Sequence, residues 1–125
     1  MAKILVIDNE QTWIRDLKAD GHEVVVAQNP LLALQSVARG QDRIDLLLTN
    51  VETKPISGFE VVKRLTEKGF DGSVLFMSES PALVAAVSQA LGKHSILAKP
   101  FAVADLRAAI RTVAPDLQAE SPRAA

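Results

Sequence analysis

The sequence contains no cysteine, which excludes disulfide bonds, zinc sites built from thiolates and thiol nucleophiles. It also lacks an excess of charge of either sign, because the formal net charge is −1. Bulk electrostatics therefore favour neither nucleic acid nor an anionic membrane as a partner. The first apolar run, Ile4 to Ile7, is too short for the core of a signal peptide or for a membrane span. We expect a cytoplasmic protein that binds neither nucleic acid nor membrane.

The size and composition are those of one globular domain. With 125 residues, the chain is long enough for a hydrophobic core and too short for two domains. A content of 48% hydrophobic and 23% charged residues is ordinary for a soluble protein. The last twelve residues contain two prolines and no hydrophobic periodicity. We therefore predict a folded domain over residues 1–113 and a flexible tail over residues 114–125.

Short apolar runs alternate with segments of helical periodicity along the chain. The run from Asp45 to Asn50 reads DLLLTN, which is typical of a strand buried on both faces of a parallel sheet. Asn29-Pro30 and Ser80-Pro81 each pair a capping residue with proline at the first helical position. We predict strands over residues 4–7, 23–27, 45–50, 73–77 and 95–98, and helices over residues 11–20, 30–40, 58–69, 81–91 and 102–113.

Five strands that alternate with five helices predict an α/β fold of the (βα)5 type, with a doubly wound parallel sheet. In such a sheet, the carboxyl ends of the strands form the ligand crevice. Taken singly, the polar residues at these ends could be ordinary caps or solvated charges. Together they indicate a site at one edge of the sheet. These residues are Asp8, Asn9, Glu10, Asn50, Glu52, Ser78, Glu79 and Lys99.

The chain resembles the receiver domain of bacterial two-component response regulators, the chemotaxis-regulator-like family, over about residues 3–113. The resemblance implies a flavodoxin-like sheet with strand order 2-1-3-4-5 and a role in a phosphorelay. It also implies a signalling protein as partner, either a sensor kinase or a downstream effector. The segments that carry the resemblance are Lys3 to Glu10, Asp45 to Asn50, Gly58 to Glu60, Met77-Ser78 and Leu97 to Phe101.

The resemblance also implies a phosphorylation site, and this sequence departs from it. In the family, two acids after strand one and a third at the end of strand three hold magnesium, and the third accepts the phosphoryl group. A Ser or Thr after strand four and a Lys after strand five contact the phosphoryl oxygens. By position, Asp8, Ser78 and Lys99 match the family, whereas Asn9 replaces the second acid and Asn50 replaces the phosphoacceptor.

These two amides change the chemistry that the site can perform. An amide nitrogen is a poor nucleophile, and magnesium is usually bound through one or two carboxylates. We therefore predict a pseudo-receiver with no phosphorylation on Asn50, no enzymatic activity and no cofactor. Asp8, with Glu10 or Glu52, is the weak candidate for a metal ligand. Asp8 facing Lys99 is close to neutral, so we predict a site that has settled into one stable state.

A contact surface is predicted on helix four, strand five and helix five, the contact face that the resemblance implies. No charged residue occurs from Ser80 to Gly92. Only one face of helix four can pack on the sheet, and Leu83, Val87 and Leu91 suit that role. Ile96 replaces the usual aromatic residue of strand five, so the family's aromatic switch is predicted to be absent. The surface, which could also form a homodimer, is predicted to contain Val84, Ala85, Ile96, Arg107 and Arg111.

Two alternatives remain open from the sequence. One is an ordinary phosphorylated receiver in which Asn50 has been altered or deamidates, although Asn9 argues against a single change. The other is a small-molecule binder or hydrolase on the same fold. His22 and His94 argue against a hydrolase, because they precede strands two and five and so lie away from the crevice.

Overall fold

A computed structural model describes residues 2–8, 12–38 and 43–116 of the chain. Within these residues, five strands alternate with five helices, and their bounds differ from the predicted ones by at most two residues. None of these helices is long and apolar enough to cross a membrane. The strands are β1 (Lys3–Ile7), β2 (Glu23–Ala27), β3 (Leu46–Asn50), β4 (Ser73–Ser78) and β5 (Ile96–Ala98). The helices are α1 (Thr12–Ala19), α2 (Pro30–Ala38), α3 (Gly58–Glu67), α4 (Pro81–Leu91) and α5 (Val103–Val113).

The strands form one parallel sheet in the order β2-β1-β3-β4-β5, which confirms the predicted fold and strand order. The register keeps the carboxyl ends of the strands level. It pairs Ile7 with Thr49, Asn50 with Met77, and Ser78 with Ala98. The polar residues that end or follow β1, β3, β4 and β5 therefore lie along one edge of the sheet, as the fold class requires.

The central strands β1 and β3 are buried on both faces. Ile4, Leu5 and Val6 of β1 and residues 46–48 of β3 have no exposed surface. Because successive side chains of a strand point to opposite faces, each run contributes to two hydrophobic layers. The layer beneath α1 and α5 contains Ile4 and Val6, and the layer beneath α2 and α3 contains Leu5. α4 packs on a third cluster, on the same side of the sheet as α2 and α3.

The inward face of α3 differs from the predicted one. The apolar periodicity of this segment predicts Phe59, Val62 and Leu65 as the inward face, but the buried side chains are those of Val61 and Leu65. Val62 is half-buried, and Phe59 exposes 41% of its surface. Phe59 packs edge-on against Phe76 of β4, with ring centroids 5.0 Å apart. The prediction for Phe59 was therefore wrong, because its ring packs beside the core cluster and leaves the inward position to Val61.

The rotation of α3 is set where the helix begins. Ser57 caps the helix by accepting the N–H of Glu60 at 3.2 Å, as the capping-box spacing predicts. The next residue, Gly58, donates its N–H to the carbonyl of Val51 at 2.8 Å. A Cβ atom on Gly58 would overlap the carbonyl oxygen of Asn50. Only glycine allows this approach, so the start of α3 is held directly against the end of β3.

The predicted tail begins with a residue that belongs to the packed structure. Ala114 is buried, and it donates its N–H to the carbonyl of Ile110 at 2.8 Å. Residues 117–125, the larger part of the predicted tail, lie outside the described residues.

Candidate functional site

Asp8 is the buried acid of the site, directly after β1. It exposes 5% of its surface, and both of its carboxylate oxygens accept hydrogen bonds. Oδ2 accepts from Nζ of Lys99 at 2.8 Å, and Oδ1 accepts from Nδ2 of Asn50 at 3.0 Å. A carboxylate is stable away from water only where a counter-charge and hydrogen bonds replace its lost hydration. Lys99 and Asn50 supply these, so the predicted pairing of Asp8 with Lys99 is present and the charges of the two groups cancel.

Asn50 is the last residue of β3, and its amide group points toward Asp8. An ionised carboxylate can only accept hydrogen bonds, so the amide nitrogen and not the amide oxygen faces Asp8. The backbone at this point is fixed from both sides. The hydroxyl of Thr49 donates to the carbonyl of Asn50 at 3.0 Å, and Val51 donates its N–H to the carbonyl of Met77 at 2.9 Å. Residue 50 is therefore held as a hydrogen-bond donor to the acid beside it.

Ser78, at the end of β4, forms a second contact with the loop that follows β3. Its Oγ lies 3.0 Å from each carboxylate oxygen of Glu52, and it also accepts the N–H of Ser80 at 3.0 Å. Ser78 exposes only 1% of its surface, whereas Glu52 is exposed. The sequence placed both residues at this edge but did not pair them. The signal was the position of Glu52, two residues after Asn50 in the same loop.

Most of the predicted site residues meet at this edge. Asp8, Asn50 and Lys99 are in direct contact, and Ser78 contacts Glu52. The backbone N–H of Lys99 also donates to the carbonyl of Ser78 at 2.8 Å. This bond links the Asp8–Asn50–Lys99 contacts to the Ser78–Glu52 contact through the backbone. Two of the predicted site residues, Asn9 and Glu10, lie outside the described residues.

The described residues do not fit the magnesium ion that the resemblance implies. The two oxygens of Asp8 accept from Lys99 and Asn50, so a cation at Asp8 would have to displace an ammonium group. The carboxylate of Glu52 faces the Ser78 hydroxyl. In residues 2–8, 12–38 and 43–116, no three His, Cys, Asp or Glu side chains group closely enough to hold a metal ion. The arrangement stabilises an internal ion pair at Asp8.

A cavity of about 410 Å³ opens beside Lys99. Trp13 and Phe101 form its apolar wall, with ring centroids 5.9 Å apart and planes inclined by 48°. Trp13 exposes 5% of its surface, because its side chain also packs in the hydrophobic layer beneath α1 and α5. The remaining lining residues are Thr12, Glu79 and Pro100.

The predicted contact surface on α4, β5 and α5 needs correction at two residues. Ala85 and Arg111 are exposed, as a contact role requires. Ile96 exposes only 5% of its surface, because its side chain lies in the cluster beneath α4. Val84 was predicted outward, but it is half-buried because it packs against the same cluster. The buried residues of this cluster are Val51, Phe76, Val87 and Ile96.

The last turn of α4 ends beside the residue that precedes β5. Leu83, Val87 and Leu91 were predicted to pack inward, and Val87 is buried while Leu83 is half-buried. Leu91 instead exposes 57% of its surface. Its carbonyl accepts a hydrogen bond from the hydroxyl of Ser95, the residue before β5, at 2.8 Å. The end of α4 is therefore tied to the residue before β5, and more than half of the surface of Leu91 stays outside the core.

Arg107, which was predicted to border the contact surface, is bound to the end of α1. Its Nε and Nη2 donate to Oδ2 and Oδ1 of Asp20 at 2.8 and 3.0 Å. The hydrogen bond to Asp20 raises the pKa of Arg107 above its ordinary value. This bidentate pair ties α5 to α1 across 87 positions of sequence, a partnership that no local pattern indicates.

Comparisons with known proteins agree with this fold. The chain matches the family described as response regulator receiver domain over residues 4–111. Response regulator MprA of Mycobacterium leprae is 32% identical over 95% of this chain and 55% of its own length. The MprA protein of Mycobacterium avium is 30% identical with the same coverage. The chain thus spans about half the length of the curated relatives it matches.

Solved structures show the same architecture. A receiver domain protein from Clostridium thermocellum superposes with a TM-score of 0.74 and 26% identity, over 93% of this chain and 96% of that one. The chemotaxis protein CheY4 of Vibrio cholerae has a TM-score of 0.73 and 26% identity, over 90% and 98% of the two chains. The family match covers most of the chain, and the strand order and the level strand ends agree with it. The chain therefore belongs to the response regulator receiver domain family of two-component signalling.

Proposed function

We propose that this receiver domain signals through protein contacts and carries no phosphoryl group on residue 50. The observation that supports this is the amide of Asn50, whose Nδ2 donates to Asp8 at 3.0 Å. Phosphoryl acceptance by a carboxylate needs an oxygen nucleophile and a hard cation that bridges it to the incoming phosphate. Residue 50 presents an amide nitrogen, and Lys99 pairs with the acid that would help to hold the cation.

The neutral site is expected to hold the domain in a single state. Clustered carboxylates repel one another, and a bound cation normally relieves that repulsion. Here the charges of Asp8 and Lys99 cancel, and Asn50 adds a hydrogen bond without adding charge. The fold can therefore form this edge without metal or phosphate. We expect no enzymatic activity and no cofactor.

A sensor kinase or a downstream effector is the proposed partner, in the cytoplasm. The proposed contact face is the exposed, uncharged side of α4 with the adjoining part of α5. Ala85 and Leu91 are exposed on α4, and Arg111 is exposed on α5. The uncharged side of α4 desolvates at little cost, and Arg111 on α5 would form part of the polar rim of the contact. The same face could pair two copies of the chain.

Phosphotransfer chemistry tests the proposal directly. The purified chain is incubated with magnesium and acetyl phosphate, and its intact mass is measured. We expect no added phosphate on the unaltered chain, and a metal-dependent stoichiometric adduct on it would contradict the proposal. The matched variants are Asn50→Asp alone and Asn50→Asp combined with Asn9→Asp. Strong phosphorylation of the single variant would favour the alternative of an intact receiver whose acceptor alone has been altered.

A further inference from the structure

A chain of hydrogen bonds leads from the loop after β3 to the first turn of α4. It begins at Glu52, whose two carboxylate oxygens each lie 3.0 Å from the Ser78 hydroxyl oxygen. Ser78 exposes 1% of its surface, so its hydroxyl has little access to water. A buried hydroxyl that donates to an ionised carboxylate forms a charge-assisted hydrogen bond, which is stronger than a bond between two neutral groups. Glu52 therefore fixes the direction of the Ser78 hydroxyl.

The same oxygen also serves the backbone that enters α4. With its hydrogen directed at Glu52, Oγ of Ser78 accepts the N–H of Ser80 at 3.0 Å. Donation to a carboxylate makes a hydroxyl oxygen a better acceptor, so the two bonds strengthen each other. The position of Ser80 thus depends on a carboxylate that it does not touch.

Ser80 in turn caps α4. Its hydroxyl accepts the N–H of Leu83 at 3.2 Å, and its carbonyl accepts the N–H of Val84 at 3.0 Å. Its backbone has the extended conformation that a helix cap requires, with φ −91° and ψ 114°. The direction in which α4 leaves the sheet is set at this residue.

We infer that Glu52 is a positioning residue that fixes the first turn of α4 through Ser78 and Ser80. The carboxylate needed for this lies within the chain, so α4 is held in one orientation without phosphate. The consequence for partner binding rests on the proposed contact face. The positioning itself does not, since it concerns only contacts within the domain.

Amide hydrogen exchange resolved by NMR tests this inference on the whole chain. In Glu52→Gln, the side chain keeps its shape but loses its charge, and we expect the amides of Ser80 and Leu83 to exchange roughly tenfold faster. The amide of Leu32 is the internal control, because Asn29 caps α2 by accepting it at 3.0 Å. It should not change.

Two further variants make the result decisive. Glu79→Gln removes the same charge from the exposed residue between Ser78 and Ser80, and it should leave all three amides unchanged. Ser78→Ala should accelerate Ser80 and Leu83, and adding Glu52→Gln to it should have no further effect. The inference is overturned if Glu52→Gln leaves these amides unchanged, if Glu79→Gln has an equal effect, or if Leu32 accelerates with them. None of these readings depends on whether residue 50 accepts phosphate.

Discussion

Nζ of Lys99 lies 2.8 Å from Oδ2 of Asp8, and the two side chains expose only 12% and 2% of their surface. Because it is buried, this pair differs from exposed ion pairs, whose net contribution to the stability of a fold is about 0–1 kcal/mol. A buried pair is costly to break, because removal of one partner leaves an uncompensated charge away from water. The pair therefore makes the site sensitive to any change in its charge balance.

Loss of Lys99 should destabilise the fold. In Lys99→Met, the buried Asp8 carboxylate loses its counter-charge, and we expect the free energy of unfolding in urea to fall by about 3–5 kcal/mol. Adding Asp8→Asn should recover part of this loss, since the unpaired charge is then gone. Lys63→Met on α3 is the matched control, because Lys63 is exposed. Equal losses in Lys99→Met and Lys63→Met would contradict this reading.

A second carboxylate at position 50 should also destabilise the metal-free domain. In Asn50→Asp, an acid replaces the amide that now donates to Asp8 at 3.0 Å, and like charges raise the pKa of one of the two carboxyl groups. We expect the free energy of unfolding to fall by about 1–3 kcal/mol at pH 7. A carboxyl pKa that is raised in the folded state costs no stability below the unfolded value of about 4, and the cost is complete above the raised pKa, so the loss should shrink as pH falls toward about 4.

The control for this variant is Asn29→Asp. Asn29 caps α2 through its side-chain oxygen, and aspartate caps a helix equally well. It should therefore leave stability unchanged or slightly higher. If Asn50→Asp is as stable as the unaltered chain at pH 7 without metal, the two groups are not in the predicted electrostatic contact.

Gly58 should not tolerate a side chain. In Gly58→Ala, the added Cβ would overlap the backbone carbonyl of Asn50, which cannot move without displacing the end of β3. We expect a loss of about 3 kcal/mol in the free energy of unfolding, at the upper end of overpacking costs. Gly69→Ala is the comparison, because its φ is +105° but nothing lies within 4 Å of its Cβ. Backbone strain alone should cost about 1–2 kcal/mol there, and the reverse order of losses would refute the argument.

A charge on the exposed side of α4 should weaken partner binding without weakening the fold. Ala85→Glu places a carboxylate on the proposed contact face, and Ala85 is exposed. We expect binding to the sensor kinase or effector to fall at least tenfold in titration calorimetry, while thermal stability stays unchanged. Gln35→Glu adds the same charge to an exposed position of α2 and should leave binding intact. Val84 is a poor choice for this test, because it is half-buried.

The alternation of strands and helices could be predicted because its signals are local. Apolar runs, the Ser80-Pro81 opening of α4 and the capping spacing from Ser57 to Glu60 each act within a few residues of the structure they produce. The level strand ends follow from the parallel sheet. The polar residues at this edge of the sheet could therefore be predicted from the residue that ends each apolar run.

The errors occurred where a side chain's direction depends on distant parts of the chain. The rotation of α3 depends on how closely Gly58 approaches β3, so Phe59 and Val61 could not be ranked from periodicity. Ile96 lies in a strand of three residues, too short for alternation to show which side faces the core. Arg107 pairs with Asp20 because α1 and α5 are neighbours in space, and local sequence patterns do not show which helices are neighbours.

The bond between Lys99 and Asp8 joins positions that are 91 residues apart, near the two ends of the folded chain. During synthesis, the first strand leaves the ribosome long before its cationic counterpart exists. The acid must remain hydrated until nearly the whole domain has been made. This edge of the sheet is therefore complete only when β5 docks. In a chain truncated before β5, the Asp8 carboxylate would lack the ammonium group of Lys99.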